Sequence, residues 1–188
     1  MNSYCISDTH FGHYNIINYC DRPFTSKAEM DDTIIDNWNK KVTGTNDLVY
    51  HLGDFCLTSR KLSKEKKREY IEDLLKRLNG RIILICGSHD RDAWDNKDLF
   101  HQVYPKNTIV EIKHRKNIII MGHCPMLSWE KRFHGSIHLF GHVHTSPYNL
   151  VHCQKKSYDV GVDNNNFTPI LLDEAILKAE GNTEWLRK

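Results

Sequence analysis

The segment Ile118-Ile119-Ile120-Met121-Gly122-His123 is typical of this chain, because a short apolar run ends in a glycine and then in a residue type that binds metals. Short apolar runs bounded by turn residues favour buried strands. If such strands share sheets, the polar side chains emerge along one rim, where open α/β sheets place their ligand sites. Four more runs end in a residue type that binds metals, three of them after a glycine: Tyr4 to Ser7 before Asp8-Thr9-His10, Leu48 to Leu52 before Gly53-Asp54, Arg81 to Cys86 before Gly87-Ser88-His89-Asp90, and Ile137 to Phe140 before Gly141-His142-Val143-His144.

The rest of the chain alternates β-rich runs with amphipathic stretches, which predicts an α/β or α+β sandwich with a mixed sheet. The predicted strands are Tyr4 to Ser7, Leu48 to Leu52, Arg81 to Cys86, Thr108 to Lys113, Asn117 to Met121, Ser136 to Phe140 and Ser157 to Val162. The predicted helices are one opened by a capping box of Ser26 and Glu29, one from about Ser63 to Asn79-Gly80, and one from about Asp173 to Glu180.

Composition limits the class of protein. With 188 residues and 39% apolar content, residues 1–188 are expected to form one domain without a cap domain. The net charge of +2 gives no indication of nucleic acid or an anionic membrane as partner. The chain lacks an apolar run of roughly 20 residues and a signal-peptide pattern, which predicts a cytoplasmic location. Six dispersed cysteines without a CxxC pair favour free thiols over disulfides. The sequence indicates no oligomeric state.

The side chains at the run ends have the chemistry of metal ligands. Carboxylates with imidazoles suit divalent manganese above all, and iron, zinc, nickel or cobalt as alternatives, while the absence of a thiolate disfavours a structural zinc site. Asp8 with His10, and His142 with His144, are spaced i, i+2. In extended backbone the two side chains of each pair would point to the same side. Six ligands are too many for one catalytic metal and predict two ions that share an aspartate, for which we choose Asp54. The candidate ligands are Asp8, His10, Asp54, His123, His142 and His144.

The order of these motifs resembles that of the calcineurin-like metallophosphoesterases, which is D-x-H, G-D, G-N-H-D/E, G-H and G-H-x-H. The resemblance covers positions 8 to 144 and implies a four-layer α/β/β/α sandwich of two mixed sheets with a two-metal site at the strand ends. It implies the following ligand sets: Asp8, His10 and His144 for the first ion, Asp54 as the bridge, and Ser88, His123 and His142 for the second ion.

The resemblance also implies a reaction, the hydrolysis of phosphomonoesters or phosphodiesters of small or nucleotide substrates. A water that bridges both ions would attack phosphorus, and His89 would donate a proton to the leaving oxygen, with Asp90 orienting it.

His13 is a candidate substrate contact, and a local loop hydrogen bond is its alternative role. Asp163, in Gly161-Val162-Asp163, is expected to support its loop rather than the metals. The histidines without a motif are interpreted as structural or exposed: His51, His101, His114, His134, His138 and His152.

Two departures from the family pattern narrow the function. Ser88 stands where the family has an asparagine, and a hydroxyl is a weaker ligand than an amide oxygen, so the second ion is expected to bind less tightly. Phe55-Cys56 follows Asp54 in place of the Asp and Arg of phosphoprotein phosphatases, which makes a protein phosphatase a poorer fit. The alternative to an enzyme is a degenerate member of the family that serves as a binding scaffold, and Ser88 alone favours it.

Overall fold

The computed structural model describes residues 1–144 and 155–181, and in these residues the strands form two mixed sheets. The first sheet has the order β4-β3-β2-β1-β9, with β9 antiparallel to β1, and the second has the order β5-β6-β7-β8, with β5 antiparallel to β6. The strands are β1 (Ser3–Ile6), β2 (Leu48–His51), β3 (Arg81–Ile85), β4 (Gln102–Tyr104), β5 (Val110–His114), β6 (Asn117–Met121), β7 (Ile137–Phe140), β8 (Ser157–Asp159) and β9 (Ile170–Leu171).

The helices follow the capping signals of the sequence. They are α1 (Ile16–Tyr19), α2 (Lys27–Lys41), α3 (Lys64–Arg77), α4 (Arg91–Asp95) and α5 (Leu172–Gly181). Ser26 Oγ accepts the Glu29 N–H at the start of α2, while the Glu29 carboxylate returns to Thr25 rather than to Ser26. In the predicted capping box the Glu29 carboxylate would accept the N–H of Ser26, whereas in the structure it accepts that of the preceding residue, Thr25. None of the helices in the described residues is long and apolar enough to cross a bilayer.

Two apolar cores hold the layers together. Helices α2 and α3 cover the outer face of the first sheet, and the inner face of that sheet packs on the second sheet. Because neighbouring strand residues point to opposite faces, Tyr4 and Ile6 enter the first core while Cys5 enters the second. Helix α5 packs against β7 and β8 as well as β1 and β9. The prediction of an α/β sandwich with two mixed sheets is confirmed. The inter-sheet core includes Leu52, Ile85, Ile119, Met121, Ile137, Leu139, Ala175 and Ile176.

The cysteines in the described residues form no disulfide, as predicted. Cys5, Cys56 and Cys86 are buried in the two cores, Cys20 is half-buried and Cys124 is exposed. Cys153 and His152 lie outside the described residues. The free thiols therefore include one, Cys124, that is exposed directly beside a candidate metal ligand.

Parallel strand pairing brings the motif loops to common edges. Strands β1, β2 and β3 are parallel, and so are β6, β7 and β8, so the loops after them leave each sheet on one side. The strands β1 and β8 end earlier than predicted, at Ile6 and Asp159, because the residues that follow leave the ladder. Single bridges join Ser7 to Gly161 and Phe11 to Cys56 beyond the strand ends. All five motifs therefore start from the same rim of the fold.

Candidate metal centre

The motif loops are joined to one another by hydrogen bonds. The Asp8 N–H donates to Gly53 O and the His10 N–H to Asp54 O, both at 2.9 Å. The two sheets are linked at the same place, since the His142 N–H donates to Asp8 Oδ2 at 2.8 Å. The loops after β1, β2 and β7 thus form one connected frame, and the predicted convergence of their side chains is present in the structure.

Five candidate ligands have a left-handed backbone. Their φ angles are +60° at Asp8, +51° at His10, +55° at Asp54, +76° at His142 and +49° at His144. The interpretation of the i, i+2 pairs as extended backbone is therefore wrong: tight turns, not strand alternation, bring the members of each pair together. Aspartate and histidine are among the non-glycine residues that tolerate this region best, although left-handed residues still cost on the order of 1–3 kcal/mol each. Such outliers concentrate where function requires a particular side-chain direction.

Asp54 lies between the two groups of histidines. Its Oδ2 is 3.5 Å from His10 Nε2 and 3.6 Å from His123 Nε2, while its Oδ1 accepts the backbone N–H of His89 at 2.9 Å. One oxygen thus faces a ligand nitrogen from each set, as a carboxylate shared by two cations would. The role of Asp54 as a bridge between two cations stays a prediction.

Buried ligand atoms without hydrogen-bond partners test whether cations fit this site. Asp8 Oδ1, His10 Nε2 and His123 Nε2 are all buried and lack a hydrogen bond. A buried polar atom left unpaired costs about 1–3 kcal/mol, so three of them in one place require a compensating group. The His123 Nδ1 is already engaged with Leu52 O at 2.8 Å, which leaves Nε2 with its lone pair. The residues present therefore fit bound divalent cations.

The ligand atoms fall into neighbouring sets. In each set one ligand atom per residue lies within 4.8 Å of the others. Asp8 belongs to two of them, which places the predicted first and second ion sites side by side. The sets at this rim are Asp8, His10 and His144; Asp8, Asp54 and His123; and His123, Cys124 and His142.

The electrostatics of the frame favour positive charge. Burial raises the pKa of Asp8 to about 7, and the nearby Asp54 adds to the rise, against the opposing effects of His144 and the His142 N–H. Burial likewise raises the pKa of Asp159 to about 7, with a contribution from Asp8. Burial holds the pKa of His10 well below its usual value, so this imidazole is neutral and able to bind a metal. Three buried carboxylates close together are most stable beside cations.

The residues of the Gly87 to Asp90 motif take different positions. Ser88 is exposed and lines an open cavity, and His89 is exposed with its ring centroid 5.3 Å from that of His10. Asp90 is buried, and its carboxylate accepts the N–H groups of Asp54, Phe55 and Gly87, each at 2.7 Å. The predicted orientation of the His89 ring by Asp90 is therefore corrected: Asp90 fixes the backbone of the loop that carries Asp54.

His13 makes a local contact within its loop, which was the alternative to a contact with substrate. Its Nδ1 is 3.3 Å from His10 Nδ1, and its ring centroid is 5.9 Å from that of His89. The ring is half-buried at the mouth of the first ligand set. His13 therefore supports the His10 ring, and its role as a substrate contact stays a prediction.

Glycine is required at three motif positions, Gly53, Gly87 and Gly141, where a Cβ would collide with neighbouring atoms. Gly53 has φ +99°, and a Cβ there would lie 2.5 Å from His123 Nδ1. A Cβ at Gly87 would collide with Asp54 Oδ1. These glycines let the backbone approach the ligands closely. At Gly122 no such atom is near, because the first neighbour of a Cβ would be Thr108 O at 4.0 Å, so packing does not explain that glycine.

Sequence reasoning missed a buried ion pair behind the first ligand set. Arg22, on the loop between α1 and α2, donates through Nε and Nη2 to Asp163 at 2.8 and 2.9 Å and through Nη2 to Asp8 O at 2.7 Å. Asp163 Oδ2 in turn is 2.8 Å from His144 Nδ1. The expectation that Asp163 supports its loop rather than the metals is therefore corrected: its carboxylate binds Arg22 and orients a candidate ligand, His144. The position of Asp163 after a strand-like run indicated a possible role at the site, whereas no sequence motif surrounds Arg22.

The contact from Asp163 leads to a prediction about metal affinity. Asp163→Asn is expected to weaken cation binding at the first set about 10- to 100-fold, because the carboxylate fixes the ring orientation and tautomer of His144. Isothermal titration of the metal-free protein with Mn²⁺ measures this affinity. Asp92→Asn is the matched control, since Asp92 pairs with Lys67 away from the ligands. Equal affinities for both variants and the wild-type protein would refute the orienting role.

Comparisons with known proteins show what this chain is similar to. The profile of calcineurin-like phosphoesterases matches residues 1–146. The uncharacterized protein MJ1445 of Methanocaldococcus jannaschii is 38% identical over 173 residues, which are 90% of this chain and 86% of that protein. The crystal structure of AQ665 from Aquifex aeolicus, a protein of unknown function, is similar with a TM-score of 0.69 and 27% identity, covering 92% of this chain and 96% of that one. Nuclease MPE of Pseudomonas putida gives a TM-score of 0.46 and 20% identity over 76% of this chain and 61% of that one.

The matched region contains all five motifs, from Asp8 to His144, and both sheets up to β7. The family is metal-dependent and acts on phosphate esters, which agrees with buried carboxylates and imidazoles whose ligand atoms lack partners. The match extends over well more than half of the 188 residues. The chain therefore belongs to the calcineurin-like phosphoesterase family.

Proposed function

We propose that this protein hydrolyses phosphomonoesters or phosphodiesters of small or nucleotide substrates with the help of two divalent cations. The observation that carries the proposal is the position of Asp54 Oδ2, 3.5 Å from His10 Nε2 and 3.6 Å from His123 Nε2. Asp8, His10 and His144 would hold one cation, His123 and His142 the other, and Asp54 both. When bound, such cations supply Lewis acidity and a positive charge that favours a phosphate group.

The cation of the first set is proposed to be manganese. That set contains carboxylate and imidazole groups, which suit manganese and also iron, zinc, nickel or cobalt. Asp163 and Arg22 keep the His144 ring in place, and Asp8 is held by the His142 N–H. These contacts keep the ligands from rearranging, so the chain presents them in a fixed geometry.

His89 is proposed as the acid that protonates the leaving oxygen. Its backbone N–H is fixed to Asp54 Oδ1 at 2.9 Å, which ties its position to the carboxylate between the ligand sets. The ring is exposed at the rim, so an incoming ester can reach it. Asp54, by accepting this N–H, positions the acid as well as the cations.

The organic part of the substrate is proposed to bind in a cavity next to Ser88. A cavity of about 400 Å³ is lined by Cys86, Gly87, Ser88, Asp90, Arg91, Trp94, Pro105 and Lys106. Trp94 offers an aromatic surface, and the exposed Arg91 and Lys106 offer positive charge. An aromatic ring beside cations suits a nucleotide, because a base stacks on the ring and a further phosphate pairs with the cations.

Replacing the aromatic wall of this cavity tests the nucleotide class. Trp94→Ala is expected to raise KM for a nucleotide ester about tenfold, since base stacking on an aromatic ring is worth about 1–3 kcal/mol. KM for glycerol phosphate, which has no ring, should stay unchanged. Trp94→Phe is the matched control and should keep most of the affinity. Equal changes of KM for both substrates would place the base elsewhere.

The proposed function is tested by reconstitution. Metal-free protein is loaded with Mn²⁺, its metal content is measured, and nitrophenyl monoester and diester hydrolysis are followed in parallel. We expect turnover of at least one substrate that disappears with a chelator and returns with metal. Full metal occupancy without turnover of any phosphoester would overturn the proposal and favour the scaffold, an alternative that the retained ligands and His89 oppose.

A further inference from the structure

The second ligand set lacks one of the family's side-chain ligands. Ser88 stands at the position of the asparagine, and its short side chain is exposed on the wall of the cavity beside Trp94. Only His123, His142 and the shared Asp54 then remain to hold the second cation. A neutral hydroxyl at Ser88 would compensate weakly for a lost amide oxygen.

A thiol lies beside this incomplete set. Cys124 directly follows His123 in the loop after β6, and its Sγ and one ring nitrogen of each of His123 and His142 lie within 4.8 Å of one another. The rings of these two histidines are adjacent, with centroids 4.9 Å apart. A thiolate is a stronger ligand for borderline and soft metals than a hydroxyl.

A buried nitrogen without a partner points to a bound ligand at this set. The His123 side chain is 6% exposed, its Nδ1 is engaged with Leu52 O, and its buried Nε2 has no hydrogen-bond partner. Asp54 Oδ2 lies 3.6 Å from that nitrogen, so a negative charge borders the same place. A cation between these groups would satisfy the histidine nitrogen and offset the negative charge.

We propose that the Cys124 thiolate is a ligand of the second cation, in place of the asparagine that Ser88 replaces, and that it makes this site select zinc over manganese. The inference rests on the two-cation site proposed above. On binding, the thiol releases its proton to solvent and the Sγ lone pair forms the bond to the cation. The first set, built from carboxylate and imidazole, keeps its fit to manganese, so the two sites differ in the metal they prefer.

A second accessible thiol among the described residues provides a matched control. Cys20 is half-buried near His144 and Asp163, and one ligand atom of each of the three lies within 4.8 Å of the others. However, the His144 Nδ1 there is already engaged with Asp163, which in turn is paired with Arg22. Cys20 therefore belongs to a separate group of ligand atoms, which shares only His144 with the first set.

Cobalt substitution tests the thiolate directly. Metal-free full-length protein is titrated with Co²⁺ without oxygen, and the near-ultraviolet absorption of thiolate-to-cobalt charge transfer is recorded with the number of ions bound. We expect two ions per chain and a charge-transfer band in the wild-type protein and in Cys20→Ser. Cys124→Ser should lose the band, and its Zn²⁺ affinity at the second site should fall about 10- to 100-fold, the loss that follows even from changes outside the direct ligands.

The outcomes separate this inference from the proposed function. Two bound cobalt ions without a charge-transfer band would overturn the thiolate ligand and leave the two-cation site intact. A band that survives in Cys124→Ser and disappears in Cys20→Ser would overturn it in favour of the first set. Failure to bind any divalent cation would overturn both proposals. Because Cys124 is exposed, its replacement by serine should leave the thermal unfolding of the metal-free protein unchanged, and this measurement accompanies the titration.

Discussion

Replacement of Asp54 by asparagine is expected to lower kcat for phosphoester hydrolysis by about 1,000-fold and to reduce the bound cations from two per chain to one or none. The variant keeps the shape of the side chain and removes the negative charge that faces both His10 and His123. Metal ions stabilise the transition state by several kcal/mol, and roughly 4 kcal/mol corresponds to about 1,000-fold in rate. Elemental analysis after dialysis and a steady-state assay measure the two effects.

Asp92→Asn is the control for Asp54→Asn. Asp92 accepts hydrogen bonds from Thr58 and Lys67 and lies in none of the ligand sets found in the described residues. Its variant should bind two cations and keep its rate. If Asp54→Asn bound two cations as tightly as the wild-type protein, the shared-carboxylate interpretation would be wrong.

Replacement of His89 by glutamine is expected to lower kcat about 100- to 1,000-fold while the metal content stays unchanged. General acid catalysis by a positioned side chain contributes about 10²- to 10⁴-fold, and glutamine keeps the size of the side chain without the ability to donate a titratable proton. The backbone N–H of residue 89 still donates to Asp54 in the variant, so the ligand frame should persist. Parallel measurement of rate and metal content separates acid catalysis from metal binding.

The leaving group provides a second readout for His89→Gln. An ester with a good leaving group, such as a nitrophenyl ester, needs less protonation than an alkyl ester, so the loss of rate should be larger for the alkyl ester. His101→Gln, an exposed histidine outside the motifs, should behave as wild type. Equal loss of rate and of bound metal would reject the acid role.

Much of the candidate site could be predicted from the sequence because parallel strands end on one side of a sheet. Once the apolar runs before Asp8, Asp54 and His123 are assigned to strands, the polar residues that follow these strands must meet at the rim. The strand positions of the long apolar runs were correct to within one to three residues, since β-rich runs bounded by glycine carry a strong local signal. The short elements β4, β9, α1 and α4 have too few residues to show a period and were missed.

What the sequence could not show depends on contacts between distant residues. Arg22 precedes Asp163 by 141 positions, and no local pattern indicates that they pair. Cys124 was interpreted as one of several free thiols because its distance from His142 becomes visible only in the folded chain. The left-handed backbone at Asp8 likewise reflects the hydrogen-bonded loops around it rather than a propensity of its own residues.

The presence of two cations on either side of Asp54 is tested most directly by anomalous diffraction. Crystals of the full-length protein grown with Mn²⁺ and Zn²⁺ are measured at the absorption edges of both metals. Two peaks per chain are expected, manganese beside Asp8, His10 and His144 and zinc beside His123, Cys124 and His142, with the Asp54 carboxylate between them. A single peak, or peaks remote from Asp54, would contradict the two-cation centre.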